Sequence, residues 1–358
     1  MIVLIGATGF TGQLVARELK ELGGRVRLAG RDLARVEKVR QSVGSGFEIA
    51  QVDVTSPSAV GAALKDARVV ISCAGPFTDV GEVVVREAVR AGAHYLDTTG
   101  EQSFIRMVFE RYGDEARSKG VALVPACAFE YAFGDAATAL ACKDLASCQE
   151  VDLTYAIEGM QSSRGTRKSI LRAIAAPGYA LRNGSPVELK AGMLSRVVDV
   201  PAQGRRRAYS FPGGEVFMAP LHVSVKDLST WMTYPVPSLV MKLFALAGPP
   251  LMRSPLAGWF SKRIDKGQFG PDAEQRAATN FTIICSARGA TGNRRVVVQG
   301  TDPYGLTAVL AGTVAQAMMG DDFKGRGCLS PSMVGGPELI RGCTESHGAR
   351  WLVEESDS

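Results

Sequence analysis

The stretch MIVLIGATGFTG, residues 1–12, decides the fold. Ile2–Ile5 is an uninterrupted apolar run, and Gly6, Gly9 and Gly12 follow it at a spacing of three. A strand that opens onto such a turn and then a helix is a cradle for a pyrophosphate. The first glycine permits the tight turn, the second lets the backbone approach the phosphates, and the third lets the helix pack against the strand. The helix is predicted over 11–22, because Leu14, Val15, Leu19 and Leu22 fall on one face and Gly23 and Gly24 end it. Backbone N–H groups at its start and its dipole favour an anion. Thr8, Phe10 and Thr11 complete the loop expected to hold it.

The same alternation continues to about residue 130. Strands are predicted over 26–29, 47–54, 69–73, 94–98 and 121–125, with helices over 32–41, 57–64, 81–91 and 104–118. Continuous apolar strands between helices mean a parallel sheet covered on both faces, and right-handed crossovers make it doubly wound. Residues 1–130 are therefore read as a Rossmann domain.

The second strand chooses between dinucleotides. A site for NAD places an acid near its end to bind the ribose 2′-hydroxyl. Here the strand ends in Ala29, Gly30 and Arg31. A guanidinium suits a 2′-phosphate, so NADP(H) is the expected cofactor, with Arg35 one turn on adding charge. Asp32 is the competing ribose acid, and its place before a helix suits a cap better. Asp53 and Val54 close the third strand, where the adenine is expected. Cys73, Ala74, Gly75 and Pro76 form a rigid turn at the end of the fourth, on the nicotinamide side. Cys73 reads as a buried thiol rather than a nucleophile.

Beyond residue 130 the rhythm changes. A helix is predicted over 135–145, and strands over 150–157, 186–190, 196–200, 207–211, 279–286 and 294–300. Further helices are predicted over 166–175 and 305–319. This is an α+β pattern, so residues 131–320 are expected to form a substrate or dimerisation domain on a mostly antiparallel sheet. Residues 321–358, rich in Gly, Ser and Pro, are expected to pack back on the Rossmann domain. The uncharged stretch LSTWMTYPVPSLVM (228–241), with LFALAGPPLM (243–252) after Lys242, is broken by four prolines and suits no membrane span. It reads as core, as the wall of a site for a greasy substrate, or as a patch touching a membrane.

Composition narrows the classes. With 46% apolar and 22% charged residues over 358 positions, the chain can build a real core. A net charge of +5 without a basic tract argues against nucleic acid. Seven cysteines without a C-x-x-C and three scattered histidines give no metal-ligand spacing, so no metal is expected. Free thiols and the lack of a leader fit a cytoplasmic protein.

GATGFTG, AGR, CAGPF (73–77) and YLDTTGE (95–101), in that order, resemble the saccharopine dehydrogenase-like oxidoreductases. Within them the chain is similar to the trans-acting enoyl reductases of bacterial lipid and polyketide assembly, and GTDPYGLTAVLAGTVAQAM (300–318) and CLSPSMVGG (328–336) agree with that group's end. The resemblance implies a Rossmann domain, a second α/β domain with a mixed sheet, NADPH as hydride donor and often a lipophilic substrate; Thr99 and Gly100 are expected beside the cofactor, and the substrate is expected free or on a carrier protein. The chain departs from its relatives at PACAFEYAFGD (125–135).

No tyrosine has a lysine four residues on, so carbonyl reduction by a Tyr-x-x-x-Lys pair is disfavoured. Enoyl reduction asks less: hydride reaches the β carbon, an enolate forms, and water can protonate the α carbon. Tyr131 is the first candidate for proton donor and Lys168, opening a helix, the second; each also reads as an ordinary packed or solvated side chain. The expected function is NADPH-dependent reduction of a carbon–carbon double bond in an acyl, polyketide or isoprenoid-like substrate by a homodimer. A saccharopine- or opine-type C–N oxidoreductase and a non-catalytic NADP(H) sensor remain as alternatives.

Overall fold

The computed structural model describes residues 1–44, 46–145 and 147–356. The chain divides into two units, Met1–Phe129 with Tyr304–Gly335, and Glu130–Pro303 with Gly336–Ser358.

In the first unit, β1 (Ile2–Ile5), β2 (Val26–Gly30), β3 (Glu48–Gln51), β4 (Val69–Ser72), β5 (His94–Asp97) and β6 (Ala122–Val124) alternate with α1 (Phe10–Leu22), α2 (Leu33–Val43), α3 (Pro57–Ala63), α4 (Phe77–Ala91) and α5 (Gln102–Lys119). The sheet runs β3-β2-β1-β4-β5-β6, and the two-residue strand Gly327–Cys328 extends it beside β6. Every pairing is parallel. Every residue of β1, β4 and β5 is buried, as a sheet covered on both faces requires. Local chemistry sets the ends of the helices. Ser56 caps α3 with Pro57 following, and Gly92 and Gly120 end α4 and α5 in left-handed conformations. Val3, Val70, Val84, Tyr95, Phe104 and Val108 anchor the core of this unit.

The third strand is shorter than the predicted 47–54. The Asp53 carboxylate accepts the Thr55 N–H at 2.9 Å and turns the chain away from the sheet. The helix predicted over 305–319 belongs to this unit, not to 131–320 as expected. On helix Pro303–Met319, a Cβ added to Gly312 would lie 2.8 Å from Cγ of Glu18 on α1, and Tyr304 packs edge-on against Phe10 at 5.0 Å.

The second unit begins in α6 (Phe129–Cys142), six residues ahead of the predicted start at 135. In chain order follow β7 (Cys148–Glu158), α7 (Arg164–Ala175), β8 (Gly178–Arg182), β9 (Ser185–Leu189), β10 (Ser195–Val200), β11 (Gly204–Ser210), α8 (Glu215–Met218), β12 (Val225–Thr233), α9 (Ser238–Met252), α10 (Leu256–Lys266), α11 (Ala273–Ala277), β13 (Asn280–Gly289) and β14 (Asn293–Thr301). The sheet runs β10-β11-β12-β7-β13-β14 and ends on strand Arg350–Ser356, with β8 paired to β12 and β9 to β8. All its pairings are antiparallel except β12 with β7, which makes it mixed.

The tail therefore does not act as one piece. Residues 327–328 join the parallel sheet, whereas Trp351 stacks on Phe133 of α6 at 5.5 Å in the second unit, and residues 357–358 lie outside the described residues. A test follows from the seat of helix Pro303–Met319. Gly312→Val, which forces two methyl groups against Glu18 and Leu22, is expected to cost about 1–3 kcal/mol in urea denaturation, as overpacking does.

Candidate functional site

The cradle in the first unit rests on close backbone approach. Gly6 has φ +82°, a conformation that L side chains rarely adopt, and a Cβ there would lie 2.8 Å from the Ala74 nitrogen. A Cβ on Gly12 would lie 2.2 Å from the Gly6 carbonyl oxygen. The turn is tied to the sheet, since Gly6 and Ala7 donate to the Ala29 carbonyl at 3.0 and 3.1 Å and Gly9 donates to Gly6 at 2.9 Å. Gly9 is the N-cap of α1; no side chain caps that end and no acid lies in its first turn. The helix start at Phe10 and Thr11 thus presents its positive dipole end beside the turn that holds Thr8, which suits a pyrophosphate.

The tip of β2 lies next to it. A Cβ on Gly30 would lie 3.5 Å from the Thr8 methyl, so the strand end and the loop are in close contact. Arg31 and Arg35 are exposed beyond it. Asp32 caps α2 through Oδ1, which accepts the Arg35 N–H at 3.1 Å. Its carboxylate is committed to the helix, as the sequence suggested. Thr55 hydrogen bonds and then Arg31's charge hold the Asp53 carboxyl below its usual range, so it stays anionic beside the β2 tip. Val54, half-buried, packs on the core.

At the end of β4, burial pushes the Cys73 thiol up to about 12, so it is no thiolate at neutral pH. The turn Ala74–Gly75–Pro76 leads into α4, with Pro76 as its N-cap. The true cap of α4 comes from elsewhere. Glu101, 1% exposed, accepts the N–H groups of Phe77 and Thr78 at 2.9 and 2.8 Å, and the Thr78 hydroxyl as well. Asp97, fully buried, accepts from Thr99 N at 2.8 Å and Ala126 N at 2.9 Å. Burial lifts it to about 7 against those hydrogen bonds. Thr99 is buried within this turn, its Oγ1 accepting the Glu101 N–H at 3.1 Å, and Gly100 is exposed at its apex. YLDTTGE is thus a fastener between β5, β6 and α4.

The second unit holds its own buried cluster. Tyr131 is 2% exposed and donates to the Pro212 carbonyl at 3.2 Å. Tyr155 on β7 donates to Oε1 of Glu215, while Oε2 of Glu215 is buried and unpaired. Burial, then nearby Asp135 and Glu130, raises Glu215 to about 8 despite the Tyr155 hydrogen bond. Asp135 lies 2.6 Å from Nε2 of His222. Burial lowers the His222 pKa, but the charge and hydrogen bond of Asp135 outweigh it and leave it raised. Lys168 stands elsewhere: Nζ pairs with Asp265 of α10 at 2.7 Å. Tyr131 and Lys168, both named from sequence, therefore serve different parts of this unit. Sequence reading passed over Tyr155, Glu215 and His222, whose only signal was a polar side chain beside apolar neighbours. Among the described residues no cluster of His, Cys, Asp or Glu is arranged to hold a metal.

A pH test follows. The folded pKa of Glu215, about 8, lies above its ordinary 4.5, so between those values the folded chain binds more protons than the unfolded one. Its stabilising contribution is complete below the ordinary value and disappears as pH rises through about 8. Asp97 acts in the same direction between 3.8 and about 7. Denaturation midpoints are expected to fall from about pH 5 to about pH 9, and less steeply in Glu215→Gln.

Residues 2–124 match the family model described as "Saccharopine dehydrogenase NADP binding domain". A protein of Mycobacterium tuberculosis, named provisionally as a trans-acting enoyl reductase, is 29% identical over 394 aligned residues covering 95% of this chain and 94% of its own. A trans-acting enoyl reductase of Mycobacterium bovis is 36% identical over 134 residues, 36% of this chain and 32% of its own. Among solved structures, apo saccharopine dehydrogenase (L-Glu forming) of Saccharomyces cerevisiae shares the fold over 99% of both chains, with TM-score 0.66 at 13% identity. The match over residues 2–124 and the end-to-end similarity to the mycobacterial protein make the chain an NADP-dependent oxidoreductase that binds NADP(H) through its first unit.

Proposed function

We propose that the chain uses NADPH to reduce a carbon–carbon double bond in a lipophilic acyl, polyketide or isoprenoid-like substrate. The observation that carries this reading is the end-to-end alignment with a relative named as an enoyl reductase. In support, no tyrosine is placed for Tyr-x-x-x-Lys chemistry.

The cofactor supplies the hydride when bound. On this reading Gly6, Gly9 and Gly12 bring backbone against its pyrophosphate, α1 directs its dipole there, and Arg31 with Arg35 grips the 2′-phosphate. The Ala74–Gly75–Pro76 turn and Thr99–Gly100 border its nicotinamide half. Solvent delivers the proton to the α carbon, and Tyr131 and Lys168 keep the structural partners they have in the second unit.

Two experiments test the proposal. Arg31→Ala is expected to weaken NADPH binding by roughly 10–100-fold and leave NADH affinity nearly unchanged, since a charge-assisted contact contributes about 1.5–3 kcal/mol. Gly12→Val, which drives a side chain into the Gly6 carbonyl, is expected to abolish binding of both, read by calorimetry. For the reaction, NADPH oxidation is measured with 2-enoyl thioesters of increasing chain length and with amino acid plus oxo acid pairs. Consumption with the thioesters alone is expected. Consumption only with the amino acid pairs transfers the chain to C–N chemistry, and none with either, despite tight NADPH binding, leaves a sensor.

A further inference from the structure

The pair α9 and α10 has the wrong face outward for a helix packed on its own domain. On α9 the buried residues are Ala245, Gly248 and Met252, mostly small, and a Cβ on Gly248 would lie 3.0 Å from Ile174 of α7. The bulky residues point the other way: Leu239 is 70% exposed, Leu243 57%, and Phe244 52%. On α10 nothing is buried, and Trp259 is 56% exposed. A surface helix ordinarily turns its large apolar side chains toward the core. Large apolar side chains exposed together on two helices that touch each other are the mark of an interaction site.

Charge says what kind. Residues 238–266 contain five basic residues and one acid, Asp265, in a chain whose net charge is +5. The acid is already paired with Lys168. Lys242, Lys262, Arg263 and Lys266 are exposed, and Arg263 lies 5.8 Å from the Trp259 ring centroid. The two helices that carry the exposed apolar side chains therefore also carry a clear excess of positive charge. A second copy meeting this face about a two-fold axis would bring like charges together. Among the described residues no helix is long and apolar enough to cross a membrane. Apolar side chains with tryptophan among a basic border suit an interface between headgroups and acyl chains.

We propose that the α9–α10 face docks the chain on an anionic lipid surface, lying in the headgroup layer without spanning it. The docking is independent of the reductase reading, because it needs neither cofactor nor turnover.

The test is sedimentation of the full chain with vesicles of phosphatidylcholine, with and without phosphatidylglycerol. Binding to the anionic vesicles is expected, weakening as salt rises, with a blue shift of Trp259 emission that Trp259→Phe removes. Leu243→Glu with Phe244→Glu, and separately Lys262→Glu with Arg263→Glu, are each expected to lower it by roughly tenfold or more. Both pairs are exposed, and an unchanged circular dichroism spectrum and cooperative urea unfolding report that each variant is folded. Four results overturn the proposal: no binding to either vesicle; equal binding to both that charge reversal leaves unchanged; full binding by the Leu243→Glu, Phe244→Glu variant; or a fall from dimer to monomer in solution with that variant, which makes the face a contact between copies.

Discussion

The contact between Gly12 and the Gly6 carbonyl is the constraint on which the first unit depends. The backbone of α1 lies so close to the strand end that no side chain fits between them. On its other side Gly6 meets the backbone of Cys73 and Ala74 at the end of β4. The loop is thereby wedged between its own helix and the neighbouring strand, at the point where the strand order reverses between β1 and β4. Ligands of open parallel sheets bind at such a reversal, outside the carboxyl ends of the strands. The glycines thus do two things at once: they close the fold there, and they leave backbone rather than side chains facing whatever lies above it.

The neighbouring loops are held by carboxylates buried for structural reasons. Glu101 reaches back from the start of α5 to cap α4, whose own N-cap, Pro76, has no side chain able to do so. Asp97 at the end of β5 gathers the N–H groups of Thr99 and Ala126, and Ala126 sits at φ +61°, where a turn needs support. Burying these acids is costly in isolation, yet several N–H donors each offset much of that cost. The turns at the carboxyl edge of the sheet are thereby tied down by hydrogen bonds within the first unit itself, and preorganisation of this kind lowers the entropy lost when a ligand binds.

The first unit was legible because its signals are local. Apolar runs of four, a cap at Asp32 or Ser56 and a glycine at Gly92 or Gly120 each act within one element, and together they imply the strand order through the handedness of the crossovers. The second unit hides its signals in long-range pairing. Strand β12 lies parallel to β7 some 75 residues earlier, and strand Arg350–Ser356 completes the sheet beside β14 after helix Pro303–Met319 has returned to the first unit. No window of sequence contains those partners. The prolines near 235–250 were read as breaking the apolar stretch, yet α9 starts after Pro237 and carries Pro249 and Pro250 near its end. The site shows the same division. The glycines and Arg31 declare themselves by spacing, whereas Tyr155 and Glu215 become a pair only when β7 and α8 are brought together in space.

The fate of Asp32 shows how local geometry bears on cofactor choice. One acid past the tip of β2 would serve a ribose hydroxyl if its carboxylate were available there. Here Oδ1 is turned onto the Arg35 N–H, and the side chain follows the helix rather than the sheet. Removing it from that duty would leave the first turn of α2 without its acceptor, at a cost of about 1 kcal/mol. The position that remains at the strand tip belongs to Arg31, exposed and one residue closer to the loop. A guanidinium at that point repays a 2′-phosphate with paired hydrogen bonds and gives a bare hydroxyl far less. On the proposed reading, a preference for the phosphorylated dinucleotide would rest on two adjacent residues, Asp32 used by a helix cap and Arg31 left facing solvent.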